Sequence, residues 1–403
     1  MKKLRNALTS IGFVIVLFTI GLYMIFSPVR ETSYIENRSL ATAPPIEGNQ
    51  IVNGEFMKRF EQFFTDQFPG RDVWLKTYLN IQSTLDKTFL LGYYVSEDAW
   101  ITTEPDHSFP EGQLAEGAEH VNALNEELQN KGMDFYYINT PHKVTNMQFL
   151  LPDYIERGAY DQVRHYFLNS LDRSVEKMDM IEQFNEDYSD SEMKQLFFKT
   201  DHHWNSYGAF EGYRKIIEWL AEQNQEFSPV TEKLTHDAYE RSCLSEKEFV
   251  GSFNRQLYLS VDTEERKCAF FPKDDAYDDF VVENEGERVD NQNIYGRAFH
   301  DTEEKVYYST LHTTDFRELK ITNPARPEGE KVLIIKDSYV NALSFLMAQQ
   351  FQETTYYDPR HNKDRSLMEY IKNHDFDIVM VMYNDPSSAG AIYEFNQPPE
   401  SQD

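Results

Sequence analysis

The last part of the chain alternates between short apolar runs and helical segments, and this pattern restricts the fold more than any other feature of the sequence. Strands are predicted over 331–336, 354–357 and 377–382, with helices over 341–351 and 366–373 between them. Strands that are separated by single helices pair in parallel, and the helices cover both faces of the sheet. The uninterrupted apolar run at 332–335 is typical of such a doubly covered strand. The sequence therefore predicts an α/β fold with a doubly wound parallel sheet.

A serine follows the first of these strands. Asp337 and Ser338 come directly after the apolar run, and the predicted helix follows them. A turn at this place lifts a serine hydroxyl clear of the sheet, and the helix start points main-chain N–H groups at the position where an oxyanion would form. Serine is also a common helix cap, so the pattern taken alone more often marks a structural serine.

A second motif, Asp201-His202-His203-Trp204, precedes another predicted helix. A nucleophilic serine needs a base, and the base needs an acceptor that fixes its tautomer. Asp201 and His203 can supply both from one loop. Asp and paired His are also good metal ligands, so a metal site is the competing interpretation. The other histidines are scattered and no Cys-x-x-Cys motif is present, so no metal site is predicted.

The N-terminus is typical of a membrane anchor. Residues 1–5 are basic, and residues 7–26 contain no charge. As a helix, these 20 residues would span about 30 Å, the thickness of the hydrocarbon core of a bilayer. No Ala-x-Ala cleavage pattern follows, so we predict an uncleaved signal anchor at 1–30. The basic flank places the rest of the chain outside the cytoplasm, as a single-pass protein of the cell membrane.

The charge of the chain excludes one class of partner. The 403 residues include 39 Lys and Arg against 68 Asp and Glu, which gives a net charge of −29. A protein this acidic is not expected to bind nucleic acid through a broad surface. Two cysteines are present, Cys243 and Cys268, and the sequence leaves open whether they pair.

Changes in pattern divide the rest of the chain. Helical periodicity fades between 225 and 325, where short β-like runs lie among acidic loops, so a β-rich insertion is predicted there. The predicted segments are the anchor at 1–30, a linker and helical region at 31–110, the first part of the α/β domain at 111–225, the insertion at 226–328, the second part at 329–396 and a polar tail at 397–403.

Several motifs together resemble a known family. Asp201-His202-His203-Trp204 is the signature for which the DHHW protein family is named, and the chain is similar to the SGNH-hydrolase-like domain of the alginate O-acetyltransferase J and X proteins. The supporting motifs are Glu36-Asn37-Arg38-Ser39-Leu40, Phe68-Pro69-Gly70-Arg71, Pro141-His142-Lys143 and Lys336-Asp337-Ser338-Tyr339. The resemblance implies a three-layer SGNH-hydrolase-like sandwich whose elements occur in circularly permuted order.

The resemblance also implies roles for individual residues. Ser338 is expected as the nucleophile, His203 as the base and Asp201 as the residue that orients it. Asn384 and Tyr339 are expected as oxyanion residues. The chain departs from the pattern of ordinary SGNH hydrolases at two positions near the oxyanion site, where Lys336 and Met382 replace glycines. The Asp-to-His spacing is also one residue shorter, as it is in the alginate-acetylation proteins.

Three further residues are candidates for contacts with substrate. His202 binds substrate or hydrogen-bonds to the main chain, Trp204 stacks on a sugar or packs beneath its loop, and Arg71 binds substrate or forms a structural ion pair. No cofactor is expected.

The resemblance predicts a membrane-anchored serine acyltransferase that O-acetylates a cell-surface or exported polysaccharide. It also implies that a multi-spanning membrane acyltransferase supplies the acetyl group. Two alternatives remain open at this point. With water as the acceptor, the same triad would give an esterase or deacetylase. A chain with a degenerate site would instead be a non-catalytic glycan-binding or assembly protein.

Overall fold

The computed structural model describes residues 2–36, 38–46, 51, 53–384 and 389–395, so the predicted polar tail at 397–403 lies outside the described residues. The chain divides into two compact units. The smaller unit contains Met1–Tyr93 and Asn254–Asp262, and the larger contains Tyr94–Phe253 and Thr263–Asp403. The larger unit thus begins at Tyr94, earlier than the boundary expected at 111.

The strands are short and are distributed along most of the chain. They are β1 (Thr32–Ser33), β2 (Arg38–Ser39), β3 (Tyr93–Val95), β4 (Ile101–Thr103), β5 (Asp134–Thr140), β6 (Glu176–Asp179), β7 (Tyr239–Cys243), β8 (Glu248–Phe249), β9 (Cys268–Pro272), β10 (Val281–Asn284), β11 (Glu287–Val289), β12 (Lys305–Val306), β13 (Glu318–Thr322), β14 (Lys331–Lys336), β15 (Glu353–Tyr357) and β16 (Ile378–Asn384).

The α-helices range from one turn to seven turns. They are α1 (Lys2–Phe26), α2 (Glu55–Asp66), α3 (Arg71–Thr84), α4 (Glu111–Asn130), α5 (Lys143–Asn146), α6 (Tyr160–Ser170), α7 (Met180–Asp187), α8 (Asp190–Leu196), α9 (Ser206–Gln223), α10 (Ser252–Gln256), α11 (Asn291–Ile294), α12 (Tyr308–Leu311), α13 (Ser344–Ala348) and α14 (Leu367–Lys372).

The smaller unit contains the apolar helix α1. Its segment Leu4–Phe26 is long and apolar enough to cross a membrane and is not buried within the protein, which fits either a single-pass anchor or a signal sequence. The helices α2 and α3 follow, separated by a turn in which Gly70 has a φ of 65°. Glycine adopts this left-handed conformation without steric cost, so residue type and turn geometry agree at this position.

The larger unit is built on an eight-stranded sheet with the order β11-β10-β13-β15-β14-β16-β5-β6. The five strands from β15 to β6 pair in parallel, and the remaining three pair antiparallel at the other edge. When the parallel strands are counted from β14, their spatial order is 2-1-3-4-5, one of the two common doubly wound orders. The permuted order predicted from the sequence is therefore confirmed, and the switch point lies between β14 and β16.

Helices cover both faces of the sheet. Val332 and Ile334 of β14 pack in one core with α9, whereas Leu333 and Ile335 pack in a second core with α4, α6 and α14. This alternation is the two-residue period of a strand that is buried on both sides. The architecture is thus the predicted three-layer α/β sandwich.

Two details differ from the sequence-based expectation. The predicted helix at 341–351 is a 3-10 turn at Ser338–Ala342 followed by the short helix α13. It begins earlier because the Asp337 carboxylate accepts a hydrogen bond from the Tyr339 N–H and caps the turn. The predicted insertion at 226–328 contributes β10, β11 and β13 to the main sheet, so much of it extends the α/β domain.

A disulfide joins Cys243 and Cys268, which face each other across the antiparallel pair β7 and β9. The bond closes a loop with a sequence separation of 25 residues. We expect the double variant Cys243→Ala/Cys268→Ala to lose about 3 kcal/mol of unfolding free energy, because the unfolded chain regains loop entropy. Urea unfolding measures this loss, and reduction of the unaltered protein should reproduce it. An unchanged urea midpoint in both cases would contradict the expectation.

Candidate active site

The candidate nucleophile Ser338 lies at the carboxyl end of β14, next to the switch point of the sheet. Asp337 is extended and fully buried, and Ser338 is the first residue of the 3-10 turn. Ser338 is partly exposed, whereas its neighbours on both sides are buried. Ligands of doubly wound sheets bind at this place, outside the carboxyl ends of the strands on either side of the switch point.

His203 and Asp201 complete a hydrogen-bonded line with the serine. The distance from His203 Nε2 to Ser338 Oγ is 2.8 Å, and that from His203 Nδ1 to Asp201 Oδ1 is 2.6 Å. The main-chain N–H of His203 also donates to Asp201 Oδ1, at 3.0 Å. Residues that are 135 positions apart in the sequence are thus brought together in the order serine, histidine, aspartate.

The charge of Asp201 and its hydrogen bond to His203 determine which nitrogen of the His203 ring carries the proton. Burial acts to raise the pKa of Asp201, but the neighbouring His203 and its hydrogen bonds hold this pKa well below the usual range. Asp201 is therefore an ionised acceptor. It accepts the Nδ1–H of His203, so in the neutral ring Nε2 is unprotonated and faces the Ser338 hydroxyl. This is the tautomer that a general base requires.

The loop that carries Asp201 and His203 is held against α9. Asn205 caps α9 by accepting from the N–H groups of Tyr207 and Gly208, and its amide donates to main-chain oxygens before the loop. Trp204 packs beneath the loop with no exposed surface. A Cβ at Gly212 would lie 2.7 Å from the Trp204 ring, so glycine is required for this close approach.

Tyr308 supports the base from one side, and nothing in the sequence pattern singles it out. Its ring is stacked on the His203 imidazole, with centroids 3.7 Å apart and an interplanar angle of 2°. Its hydroxyl donates to the main-chain oxygen of Tyr339, which also accepts from Trp204 Nε1. The imidazole is therefore fixed in plane by Asp201 and across its face by Tyr308.

The Asp337 carboxylate accepts hydrogen bonds from Tyr339 and Asn384, the two residues that were expected to bind the oxyanion. Its carboxylate accepts from the Tyr339 N–H at 2.9 Å, from the Asn384 N–H at 2.7 Å and from Asn384 Nδ2 at 2.6 Å. The Tyr339 hydroxyl donates to the main-chain oxygen of His202. Both donors of Tyr339 are thus used within the protein, and Tyr339 does not fit an oxyanion role. Asn384 retains its second Nδ2 hydrogen.

His202 lies beside the line and does not extend it. Its Nδ1 is 2.6 Å from Ser252 Oγ, and its ring lies against His203 with centroids 3.8 Å apart. Burial and the neighbouring His203 lower the pKa of His202 to about 3, so this ring is neutral at physiological pH. Because its side chain is 28% exposed, it remains available to a ligand.

Ser252 is a second residue that the sequence pattern does not reveal. Its main-chain N–H donates to Asp201 Oδ2 at 2.6 Å. Both oxygens of the Asp201 carboxylate therefore accept hydrogen bonds, one from His203 and one from the main chain of the segment predicted as an insertion. A main-chain donor leaves no trace in residue identity.

Lys143 and Glu265 hold the loop on its other side. Lys143 Nζ donates to the main-chain oxygens of Lys199 and Asp201, at 2.6 and 2.9 Å. The Glu265 carboxylate accepts from the N–H groups of Lys199 and Thr200 and from the Thr200 hydroxyl. Burial lowers the pKa of Lys143 to about 7 and raises that of Glu265. Lys143 belongs to the Pro141-His142-Lys143 motif, which is the sequence signal for it.

Lys336, which replaces a glycine of the family pattern, is engaged away from Ser338. Its Nζ lies 2.6 Å from Asn341 Oδ1 and 3.2 Å from Asp315 Oδ1, and the fully buried Asp358 is 3.5 Å away. Arg360 pairs with the same two carboxylates. The extra charge is thus compensated inside an ionic network.

Two candidate substrate contacts are placed elsewhere. Trp204 has no exposed surface, so it cannot stack on a sugar, because its ring fills the space beneath the loop. Arg71 lies in the smaller unit, where its guanidinium donates to both oxygens of Glu36 and to the Tyr258 hydroxyl. It is a structural ion-pair partner there.

The same geometry bears on the competing interpretation of this motif as a metal site. Asp201, His202 and His203 offer ligand atoms that lie within 4.8 Å of one another. However, both ring nitrogens of His203 and both oxygens of Asp201 already take part in hydrogen bonds within the protein. The serine, histidine and aspartate line accounts for these atoms without an ion.

Known proteins are similar to this chain in sequence and in fold. The family model of the SGNH hydrolase-like domain of the acetyltransferase AlgX matches residues 94–299, which include Asp201 and His203. The alginate biosynthesis protein AlgX of Pseudomonas aeruginosa is 26% identical over 139 residues, 33% of this chain. The match spans only 29% of the length of that relative.

Solved structures cover more of the chain. PatB1 of Bacillus cereus is 28% identical with a TM-score of 0.68, and the likeness covers 75% of this chain and 99% of PatB1. A further PatB1 structure, with a sulfonyl adduct, is 25% identical with a TM-score of 0.66. A DHHW family protein of Eubacterium siraeum has the same fold, with 19% identity and a TM-score of 0.58 over 76% of this chain and 96% of that one.

Proposed function

This chain belongs to the AlgX family of SGNH hydrolase-like acetyltransferase domains, and from that premise we propose that it is an O-acyltransferase whose catalytic residues are Ser338, His203 and Asp201. One observation carries the proposal: Ser338 Oγ, His203 and Asp201 form a continuous hydrogen-bonded line with distances of 2.8 and 2.6 Å. This arrangement activates a serine hydroxyl by removing its proton as it attacks.

In the first half-reaction, Ser338 Oγ attacks the carbonyl carbon of an acyl donor while His203 Nε2 accepts the hydroxyl proton. The ionised Asp201 stabilises the resulting imidazolium. The developing oxyanion is near the N-terminal end of the turn at Ser338, and we assign the Ser338 N–H and the second Nδ2 hydrogen of Asn384 as its donors. His203 then returns the proton to the leaving group, which leaves an acyl ester on Ser338.

In the second half-reaction, His203 removes a proton from an acceptor hydroxyl, which attacks the acyl ester on Ser338. Collapse of the tetrahedral intermediate transfers the acyl group to the acceptor and returns the proton to Ser338 Oγ. His202 lies next to this path with an accessible neutral ring, so we assign it to contacts with the acceptor.

We assign the acyl group as acetyl and the acceptor as a hydroxyl of an exported or cell-surface polysaccharide. The support is the acetyltransferase family and the relative that is named as an alginate biosynthesis protein. The apolar helix α1 would hold the domain on the outer side of the membrane, close to a multi-spanning acyltransferase that delivers acetyl groups.

Covalent labelling tests the proposed nucleophile. The full-length protein in detergent is treated with a fluorophosphonate and with a sulfonyl fluoride, and the adduct is located by intact mass and peptide mapping. We expect one adduct on Ser338, because its hydroxyl is the one that faces the unprotonated Nε2 of His203 among the described residues. The adduct should disappear in Ser338→Ala and in His203→Ala. The Ser252→Ala variant is the matched control and should label normally, since Ser252 Oγ contacts His202.

The absence of any adduct on a folded protein would contradict the proposed activation of Ser338 and favour the non-catalytic role in glycan binding.

If labelling succeeds, a second experiment with p-nitrophenyl acetate as donor distinguishes transfer from hydrolysis. If added glycan lowers acetate release and acetylated oligosaccharide forms, the result supports the transferase. Acetate release that is unaffected by added glycan supports the esterase.

A further inference from the structure

Helix α3 exposes a continuous apolar stripe. Trp74, Tyr78, Ile81 and Leu85 are 64%, 48%, 54% and 67% exposed. They are spaced at i, i+4, i+7 and i+11, so they fall on one side of the helix and its C-terminal cap. The buried Leu79 follows Tyr78 by one residue and therefore points away from the stripe, whereas the buried Gln82 borders it. Soluble proteins rarely leave such a patch open unless it binds something.

Helix α2 has the same character. Met57, Phe60 and Phe64 are 61%, 41% and 39% exposed and follow one another at i, i+3 and i+7. Two consecutive helices of the smaller unit thus each present large apolar side chains to their surroundings.

The turn between these helices is attached to the segment that leaves α1. The Arg30 N–H donates to Gln67 Oε1, and Gln67 Nε2 donates back to the Arg30 oxygen. The Arg30 guanidinium also contacts Asp72 and the main-chain oxygen of Asp66. Helix α1 ends at Phe26, and only four residues later the chain is fixed to the α2–α3 turn at Arg30. Four extended residues span at most about 14 Å.

We propose that the apolar stripe of α3 docks into the interfacial region of the lipid bilayer that α1 spans. The inference goes beyond the proposed reaction and rests on the membrane anchor, independently of Ser338. A bilayer is favoured over a protein partner because the short attachment at Arg30 keeps the turn near the membrane surface wherever the rest of the chain lies. The composition agrees, since Trp and Tyr concentrate at membrane interfaces.

The docking would restrict rotation of the smaller unit about the anchor. A single helix followed by a free linker leaves an attached unit able to tumble, whereas a helix that lies in the interface adds a second attachment. Because the chain carries a net charge of −29, the docking would depend on apolar side chains and would tolerate a zwitterionic bilayer.

Trp74 is a built-in reporter for this docking. The other tryptophans are covered: Trp100 and Trp204 are buried, and Trp219 is partly buried. The full-length protein is placed in phosphatidylcholine nanodiscs with and without lipid brominated on its acyl chains. We expect brominated lipid to quench the emission of Trp74 by about half or more, and the Trp74→Phe variant to lose this quenchable component.

Charge placed on the stripe should abolish the quenching. In Ile81→Glu/Leu85→Glu we expect Trp74 emission to be equal in the two lipids, because two carboxylates oppose insertion. The matched control is Asn80→Glu/Ser83→Glu, which adds the same charge to exposed positions away from the stripe and should be quenched like the unaltered protein. Circular dichroism and recovery of every variant with the nanodisc fraction establish folding and retention of α1.

Three results would overturn the docking. The first is no bromine quenching of the unaltered protein, and the second is equal quenching in both double-glutamate variants. The third is crosslinking of the stripe to another membrane protein in native membranes without quenching in lipid alone, since the occupant would then be a protein. Each result leaves labelling of Ser338 unaffected, so this inference and the proposed reaction fail separately.

Discussion

Asp201→Asn is expected to lower acyl transfer on the order of 10³–10⁴-fold while the fold is preserved. The change exchanges one oxygen for an amide nitrogen of nearly equal size. Asp201 is only 2% exposed, and each of its oxygens accepts N–H groups: Oδ1 from His203 and Oδ2 from Ser252. An asparagine must therefore place its NH₂ against an N–H group in either orientation.

The orientation that keeps the Ser252 hydrogen bond inactivates the base. The asparagine NH₂ then faces His203 Nδ1, and the imidazole meets it best with Nδ1 unprotonated. The proton moves to Nε2, which can no longer accept the proton of Ser338. The opposite orientation sets the NH₂ against the Ser252 N–H. Each orientation leaves one buried main-chain N–H without an acceptor, that of His203 in the first and that of Ser252 in the second, at a cost of about 1–3 kcal/mol.

The measurement is the rate of p-nitrophenyl acetate turnover together with the rate of fluorophosphonate labelling. Ser252→Ala is the control, because it retains the main-chain N–H that contacts Asp201 and should change either rate less than about tenfold. A decrease of the same size in Ser252→Ala and Asp201→Asn would mean that the carboxylate has no special part in activating His203.

Acid unfolding gives a second readout for Asp201. Its pKa is lowered in the folded protein, so its ionised form contributes stability above the unfolded pKa, about 3.9. That contribution is lost as the pH falls towards the lower, folded pKa. The stability difference between the unaltered protein and Asp201→Asn should therefore shrink below about pH 4.

The sequence predicted the parts of the site that are encoded locally. The apolar strand that leads into Asp337 and Ser338 and the motif that carries Asp201 and His203 are each contiguous, so their geometry follows from a few neighbouring residues. The contact between the two motifs was not derivable from spacing, because it spans 135 positions and depends on the permuted strand order. It came from the resemblance to a family.

The segment at 226–328 supplied what the sequence did not reveal. It contributes the Ser252 N–H that binds Asp201 and the Tyr308 ring that stacks on His203. Neither contact produces a motif, since a main-chain donor is independent of residue type and one Tyr among 25 is not distinctive. The absence of helical periodicity suggested an insertion, whereas three strands of the segment, β10, β11 and β13, extend the main sheet.

Packing and capping explain why two expected roles, sugar stacking by Trp204 and oxyanion binding by Tyr339, do not agree with the structure. Trp204 lies next to His203 in sequence, but the small residue Gly212 on α9 leaves a space that the indole fills. Tyr339 follows Ser338, but Asp337 takes its N–H as a helix cap. The resemblance implied the oxyanion role of Tyr339, and sugar stacking was one of two roles considered for Trp204. Capping and packing determine the actual contacts.

Lys143→Met is expected to have the second large effect, a loss of about 3 kcal/mol in unfolding free energy and of on the order of 10² in Ser338 labelling. Lys143 Nζ donates to the main-chain oxygens of Lys199 and Asp201, and Glu265 binds the same loop through N–H groups. Methionine fills the space but leaves the Asp201 oxygen without a donor, whereas the Lys199 oxygen still accepts from the Ile101 N–H. It also leaves the Glu265 charge without the attraction of the buried Lys143.

Lys194→Met is the matched control. Both lysines lie over the Trp100 ring, with Nζ 5.2 Å from its centroid for Lys143 and 5.8 Å for Lys194. Lys194 pairs with the exposed Asp98, so its loss should cost less than about 1 kcal/mol. Adding Glu265→Gln to Lys143→Met should restore part of the stability, because the unpaired charge is removed. It should not restore the labelling rate, because the Asp201 main-chain oxygen still lacks its donor. If labelling recovered together with stability, Lys143 would act only on folding and would not position Asp201.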